Sequence, residues 1–252
     1  MIHQEFSVAG SPGLDVRIES GRVEIEEGAP GSVEVSVDTH DPGFIVEQRG
    51  NSILVSSDKT QPWLSRGSSF VTIKAPAGSD VEIAVASAEV DCRLHLGKVA
   101  VKTASGDITL DRATTASIKT ASGDTRLNGT EQALHHTSAS GDLSVDDACH
   151  GSVTISTASG DVRIGTCDAS LVVNTVSGDV EIGRFSGRSA VFKGMSGDLD
   201  LGIPTGTSVD LDVNLLSGRL NLPETGPERH DTVRHMTIAA KLVSGDLTIT
   251  RL

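Results

Sequence analysis

One tripeptide recurs along this chain at nearly constant spacing, and the recurrence leaves few folds open. Ser-Gly-Asp ends at Asp107, Asp124, Asp142, Asp161, Asp179, Asp198 and Asp246. Ser217-Gly218-Arg219 fills the slot between the last two, and a degenerate copy, Ser87-Ala88-Glu89, precedes the series. Successive third positions step by 18, 17, 18, 19, 18, 19, 21 and 27 residues. Self-similarity at so short a period marks a stacked repeat, in which each unit is too small to bury its own apolar face.

Alignment on the serine resolves the flanks into columns. Six residues before it stand Val81, Val99, Ala116, Leu134, Val153, Leu171, Ala190, Leu211 and Ile238. Three and five residues after it the chain is again apolar, as in Ile108 and Leu110, Val162 and Ile164, or Leu247 and Ile249. The residue between these two is polar, as with Thr109, Arg126, Ser144, Arg163 and Thr248. Apolar residues two apart with polar ones between are the period of a strand with one buried face. Each unit therefore reads as strand, Ser-Gly-Asp turn, strand and second turn, with no room for a helix. The predicted fold is all-β: a parallel β-helix or β-solenoid of about nine coils of 17–19 residues, two short strands per coil. At roughly 4.8 Å per coil the stack would be about 40 Å long.

The turn chemistry agrees. The glycines supply positive φ, and Asp after Gly can cap nearby turn amides. Two residues before the serine lie Thr103, Thr120, Ser138, Thr157 and Thr175, which alternation turns inward; a buried hydroxyl stack bonded along the axis is expected. A single inward Thr column excludes the flat outward Thr rows of an ice-binding face. A thin coil also leaves no room for large aromatics, matching an aromatic content of 2% with no Tyr.

Residues 1–78 lack the Ser-Gly-Asp units but keep strand alternation, with turns at Ser20-Gly21 and Gly50-Asn51. They read as an N-terminal β-cap, or irregular first coils, closing a solenoid that occupies residues 79–252. Two irregular segments interrupt the pattern. Ser57–Ser69 carries Trp63, the one Trp of the chain, and a polar loop at 223–235 carries His230, Asp231 and His235. Trp63, His230 and His235 are the candidate partner-binding residues. The chain ends three residues after Ile249, so the C-terminal coil is expected to be uncapped and to offer an edge for end-to-end homodimerisation.

Charge narrows the function. The 252 residues carry 34 acidic and 21 basic side chains, a net −13, which disfavours a nucleic-acid groove and docking on anionic lipid. Three widely spaced cysteines make neither a disulfide framework nor a zinc site and fit a reducing compartment. The first residues lack a signal-peptide pattern and no apolar run reaches 18 residues, so a cytoplasmic location without membrane insertion is expected.

Chemistry is sparse. If the turns stack, Asp107, Asp124, Asp142, Asp161, Asp179 and Asp198 line one edge, a row that is a candidate calcium site if its carboxylates are not already satisfied by turn amides. No nucleophile elbow, zinc-protease, P-loop or dinucleotide fingerprint is present, so no catalytic residue and no cofactor are assigned. His136 and Cys92 fall in core columns, and the neighbours Cys149 and His150 should face opposite ways.

With units such as TASGDITL (103–110), TASGDVRI (157–164) and VSGDLTI (243–249), and the upstream strand VTIKAPAG (71–78), the sequence resembles a bacterial family of β-strand-repeat proteins known as putative adhesins, a domain of unknown function. The resemblance implies a right-handed parallel β-helix or solenoid and transfers no catalytic residues. The reading is a non-catalytic structural or protein-interaction scaffold; the alternatives are an adhesin-like surface module and cation binding along the Asp row.

Overall fold

Where two strands meet at a Ser-Gly-Asp corner, the backbone must turn sharply and lie directly on the corner of the next coil. Gly178 shows why only glycine serves. Its φ is +132°, and a Cβ there would sit 2.2 Å from the carbonyl oxygen of Gly160 in the neighbouring coil. Neither the torsion nor the contact tolerates a side chain. The corners thus fix which coil rests on which.

The computed structural model describes residues 1–57, 67–223 and 234–252. The chain forms two compact units, Met1–Leu127 and Asn128–Leu252. The described residues are all-β and solenoid-like, built from twenty strands with no helix.

In the first unit the strands are β1 (Ile2–Ser7), β2 (Gly13–Glu27), β3 (Ser32–Asp38), β4 (Ile45–Arg49), β5 (Ser52–Ser56), β6 (Ser69–Ala75), β7 (Asp80–Ser105) and β8 (Ile108–Ser122). β7 and β8 run parallel, and β2 pairs parallel with β7, setting Ser20-Gly21-Arg22 in register with Ser87-Ala88-Glu89. The corner register therefore extends upstream of the sequence repeat, without its Asp. The other edge of β2 is occupied by β5 and β6, also parallel. Antiparallel strands finish this edge: β4 on β5, through the turn at Gly50-Asn51 read from the sequence, then β3 on β6 and β1 on β3.

The second unit carries β9 (Thr125–Ser140), β10 (Leu143–Cys149), β11 (Ser152–Ser159), β12 (Val162–Cys167), β13 (Ser170–Ser177), β14 (Val180–Phe185), β15 (Ser189–Ser196), β16 (Leu199–Ile203), β17 (Thr207–Ser217), β18 (Leu220–Asn221), β19 (Arg234–Ser244) and β20 (Leu247–Arg251). Strands before the corner stack in parallel in the order β9, β11, β13, β15, β19, β17. Strands after it follow the same order, from β10, β12 and β14 to β16, β20 and β18. The predicted columns are the core, with Val153, Leu171, Ala190 and Ile238 each at most 1% exposed.

The strand order overturns the expectation of an uncapped C-terminal coil. The C-terminal coil is not the free end, because β19 and β20 insert between β15/β16 and β17/β18. The outermost coil is the one that precedes it in the chain. The step into β17 skips one coil position, and the 27-residue step that follows returns to fill it. The consequence is visible in exposure. In the outermost coil the core-column residues Leu211, Leu220 and Leu222 are 37%, 43% and 50% exposed, whereas Leu247 beneath is fully buried.

Candidate functional site

The polar row that the sequence singles out is assembled by the corners of each unit. In the first unit the Asp124 amide donates to Asp107 Oδ1 at 3.0 Å. In the second unit the Asp161 amide donates to Asp142 Oδ1 (2.8 Å), Asp179 to Asp161 (3.0 Å) and Asp198 to Asp179 (2.8 Å). Asp246 then donates to Asp198, and Arg219 to Asp246, both at 2.8 Å. Asp107, Asp142, Asp161, Asp179, Asp198 and Asp246 therefore each cap the amide of the next coil, not their own turn as expected. The reason is geometric: parallel coils in register bring that amide within hydrogen-bond reach of the carboxylate. The backbone carbonyl works in the opposite direction, as where Val162 N donates to Asp179 O at 2.8 Å.

This bonding also explains the one departure within the regular series. Arg219 lies on the outermost coil, where among the described residues no further amide is stacked to be capped. Its own amide donates inward to Asp246, and the slot has no use for a carboxylate. Among the described residues no group of three or more His, Cys, Asp or Glu is placed to hold a metal ion, so the stacked carboxylates are not gathered into such a cluster.

The inward hydroxyl column is present but bonded differently from expectation. Thr103, Thr120, Ser138 and Thr157 are buried. The hydroxyls of Thr103, Ser138 and Thr157 donate to the carbonyl two residues ahead, at 3.0, 2.9 and 3.2 Å, and not along the stack. A Ser or Thr hydroxyl beside a corner finds the carbonyl two residues ahead on its own strand first. Thr120 Oγ1 and Thr175 Oγ1 have no hydrogen-bond partner among the described residues.

Potentially reactive groups lie in the core. His136 is 1% exposed, and burial, reinforced by neighbouring His135, lowers its pKa to about 4. Cys92 is buried and its thiol is pushed up, by burial first and then by the Asp91 charge. Cys149 and Cys167 are in-register neighbours with no exposed surface, pushed by burial up to about 12 and about 11. As alternation requires, Cys149 faces inward while His150 is exposed, its Nδ1 2.6 Å from Asp168 Oδ1 on the next coil. His235 is exposed on β19, in register with Ser208. Trp63 and His230 lie outside the described residues.

Two surface grooves flank the corners. One, of about 290 Å³ in the second unit, runs past Thr137, Ser156 and Asn174. The other, of about 340 Å³ in the first unit, is bordered by Arg17, Glu19 and Lys102. Along the first groove and past it, the residue preceding the corner serine changes character. It is Ala139 and Ala158 on β9 and β11, then Val176, Met195, Val243 and Leu216 on β13, β15, β19 and β17. These last four are 49%, 57%, 44% and 81% exposed. Sequence reading missed this run, although the column itself records the change from Ala to larger side chains.

A register-locked parallel stack with glycine corners and intercoil carboxylate caps defines a β-solenoid-like repeat protein. The chain belongs to the Toastrack DUF4097 family, which matches residues 13–250. The chain is similar, at low identity, to three crystal structures. A putative adhesin from Bacteroides fragilis is 14% identical with a TM-score of 0.50, over 98% of this chain and 96% of that one. A putative adhesin from Parabacteroides merdae is 10% identical (TM-score 0.47, 99% and 95% covered). A putative lipid binding protein from Parabacteroides distasonis is 12% identical (TM-score 0.44, 100% and 96% covered). No curated protein matches the chain.

Proposed function

We propose that the chain is a non-catalytic protein-interaction scaffold. The observation that carries this reading is the use made of its polar groups. The carboxylates that could do chemistry are spent in tying coil to coil, and the core His and Cys are buried in the direction that keeps them neutral. What remains available is surface: strand faces, two grooves and an outer coil that, among the described residues, carries no further strand. About nine coils build the solenoid, and β1, β3 and β4 serve as its N-terminal cap, their antiparallel pairing blunting an edge that would otherwise accept a further strand. The outer coil of β17 and β18 is the end at which two copies would meet.

The test is affinity purification from the native host under reversible cross-linking, with bound proteins identified by mass spectrometry. Stoichiometric partners lost on charge substitutions in the strand faces support the scaffold; turnover of a substrate by the purified chain contradicts it. An adhesin-like module is the second reading, favoured by the likeness to the Bacteroides fragilis putative adhesin. Fractionation separates the two, because the scaffold is proposed to stay in the cytoplasm while an adhesin must reach the cell surface.

A further inference from the structure

The strands before the corner in the second unit present a face unlike the rest of this acidic chain. Val176, Met195, Val243 and Leu216 occupy one column on four consecutive parallel strands, since Asn174 aligns with Lys193, Lys193 with Lys241 and Lys241 with Asn214. Four exposed apolar side chains so placed form a straight row about 14 Å long, three strand spacings of roughly 4.8 Å. Most of the exposed large apolar residues of this unit lie in this row or on the open end of the outermost coil that adjoins it. Contiguous apolar surface of this kind marks an interaction site, whereas scattered single residues do not.

Charge identifies what the row fits. Lys193 and Lys241 are exposed, two residues from Met195 and Val243 on the same face, and side by side in register. Like charges directly opposite across neighbouring strands repel. Among the described residues neither lysine is ion-paired, in a chain where acids outnumber bases 34 to 21. At the three outward positions before the corner on these four strands, the one carboxylate is Asp212, on the outermost strand; past the corner, three residues beyond the row, stand Asp179, Asp198, Asp246 and Arg219, so the lysine side is the one that calls for carboxylates. The apolar row and the lysine pair together ask for a partner with apolar anchors in a line and carboxylates beside them.

The period of the row selects its shape. An extended segment along the row would repeat its same-face side chains every ~6.7 Å, out of step with the coils. An α-helix offers one apolar residue per turn of about 5.4 Å and stays close to step over four rows. A lipid surface is disfavoured by the net charge of −13, which repels an anionic bilayer.

We propose that the Val176–Met195–Val243–Leu216 row, with Lys193 and Lys241, is the docking surface for an acidic amphipathic helix of a partner protein. The proposal deepens the scaffold reading by naming the partner's chemistry. The test uses the full chain and a labelled 18-residue designed helix with Leu once per turn and Glu beside it. Its binding is measured by fluorescence polarisation against the same helix with Lys in place of Glu, and against phosphatidylglycerol vesicles. The Glu helix is expected to bind at least tenfold tighter than the Lys helix. Met195→Glu should weaken it at least tenfold, and Lys193→Glu with Lys241→Glu should reverse the preference. Both sets change exposed side chains, and an unchanged Tm establishes that they fold. Equal binding of the two helices, binding of neither, or vesicle binding abolished by M195E overturns the proposal. Such a failure leaves the scaffold reading intact, because that reading is judged by partners captured from the host on any surface.

Discussion

Asp179 offers the sharpest test of how the coils are held together. Its Oδ1 accepts the Asp198 amide of the next coil at 2.8 Å, and among the described residues it makes no ion pair. Removing the acceptor with Asp179→Ala leaves that amide to water. By analogy with helix caps and other hydrogen bonds to ionised groups, the loss is about 1 kcal/mol, kept to that size because the corner is exposed. Asp179→Asn keeps an oxygen in the same place. It removes one charge from a row of carboxylates spaced about 5 Å apart, so relief of repulsion offsets the weaker bond and the net change stays within about 0.5 kcal/mol. Arg219→Ala supplies the control: the outermost corner caps no amide, so the change should again be within about 0.5 kcal/mol. Thermal unfolding followed by circular dichroism should show D179A about 2–4 °C below the parent, with D179N and R219A close to it. If D179N falls as far as D179A, the acceptor oxygen is not what matters and the intercoil cap is wrong.

Three further outcomes follow from buried and bonded groups. His136 is held neutral in the folded chain, with a pKa of about 4 against an ordinary 6.5. The unfolded chain therefore takes up the proton first. Stability is full above pH 6.5 and falls as the pH drops toward 4, by roughly 3 kcal/mol from this residue, and urea titrations of His136→Leu should lack that part of the slope. Cys149 and Cys167, with thiols pushed up to about 12 and about 11, should resist a thiol reagent at pH 8 until denaturant is added; rapid native labelling would contradict their place in the core. Because one oxygen of each bridging Asp already accepts an amide, EDTA and then millimolar calcium should leave Tm unchanged, and a calcium-dependent rise of several degrees would assign a cation role to the row.

What the sequence made legible, and what it did not, has a physical division. Columns such as Val153, Leu171 and Ala190 could be read because burial on a strand repeats every second residue and the corner glycines fix the phase. The inward placement of His136, and the opposite facing of Cys149 and His150, followed from the same alternation. The identity of each coil's neighbour could not be read at the end of the stack. Ser217-Gly218-Arg219 and Ser244-Gly245-Asp246 are written in the same alphabet, and pairing between distant strands leaves no local mark. The clues were the long step between them and the Arg in place of Asp, which acquire meaning only once Arg219 is seen on the outside. The Asp and Thr bonds were misjudged for a related reason. Ser-Gly-Asp suggests a local cap, yet the next coil's amide lies within reach, while the Thr103 hydroxyl turns to the Ser105 carbonyl instead of its neighbour in the stack.

The order of the coils is the claim on which the exposed end, the apolar row and the role of Arg219 all rest. Engineered cysteine pairs read it directly. Ser196 and Ser244 are in-register neighbours, as are Ser244 and Ser217, so Ser196 and Ser217 lie two spacings apart, about 9.6 Å. That exceeds the reach of a disulfide. Under mild oxidation the pair Ser196→Cys with Ser244→Cys should cross-link, and Ser196→Cys with Ser217→Cys should not. Cross-linking of 196 to 217, with none between 196 and 244, would show coils stacked in chain order and contradict the structure described.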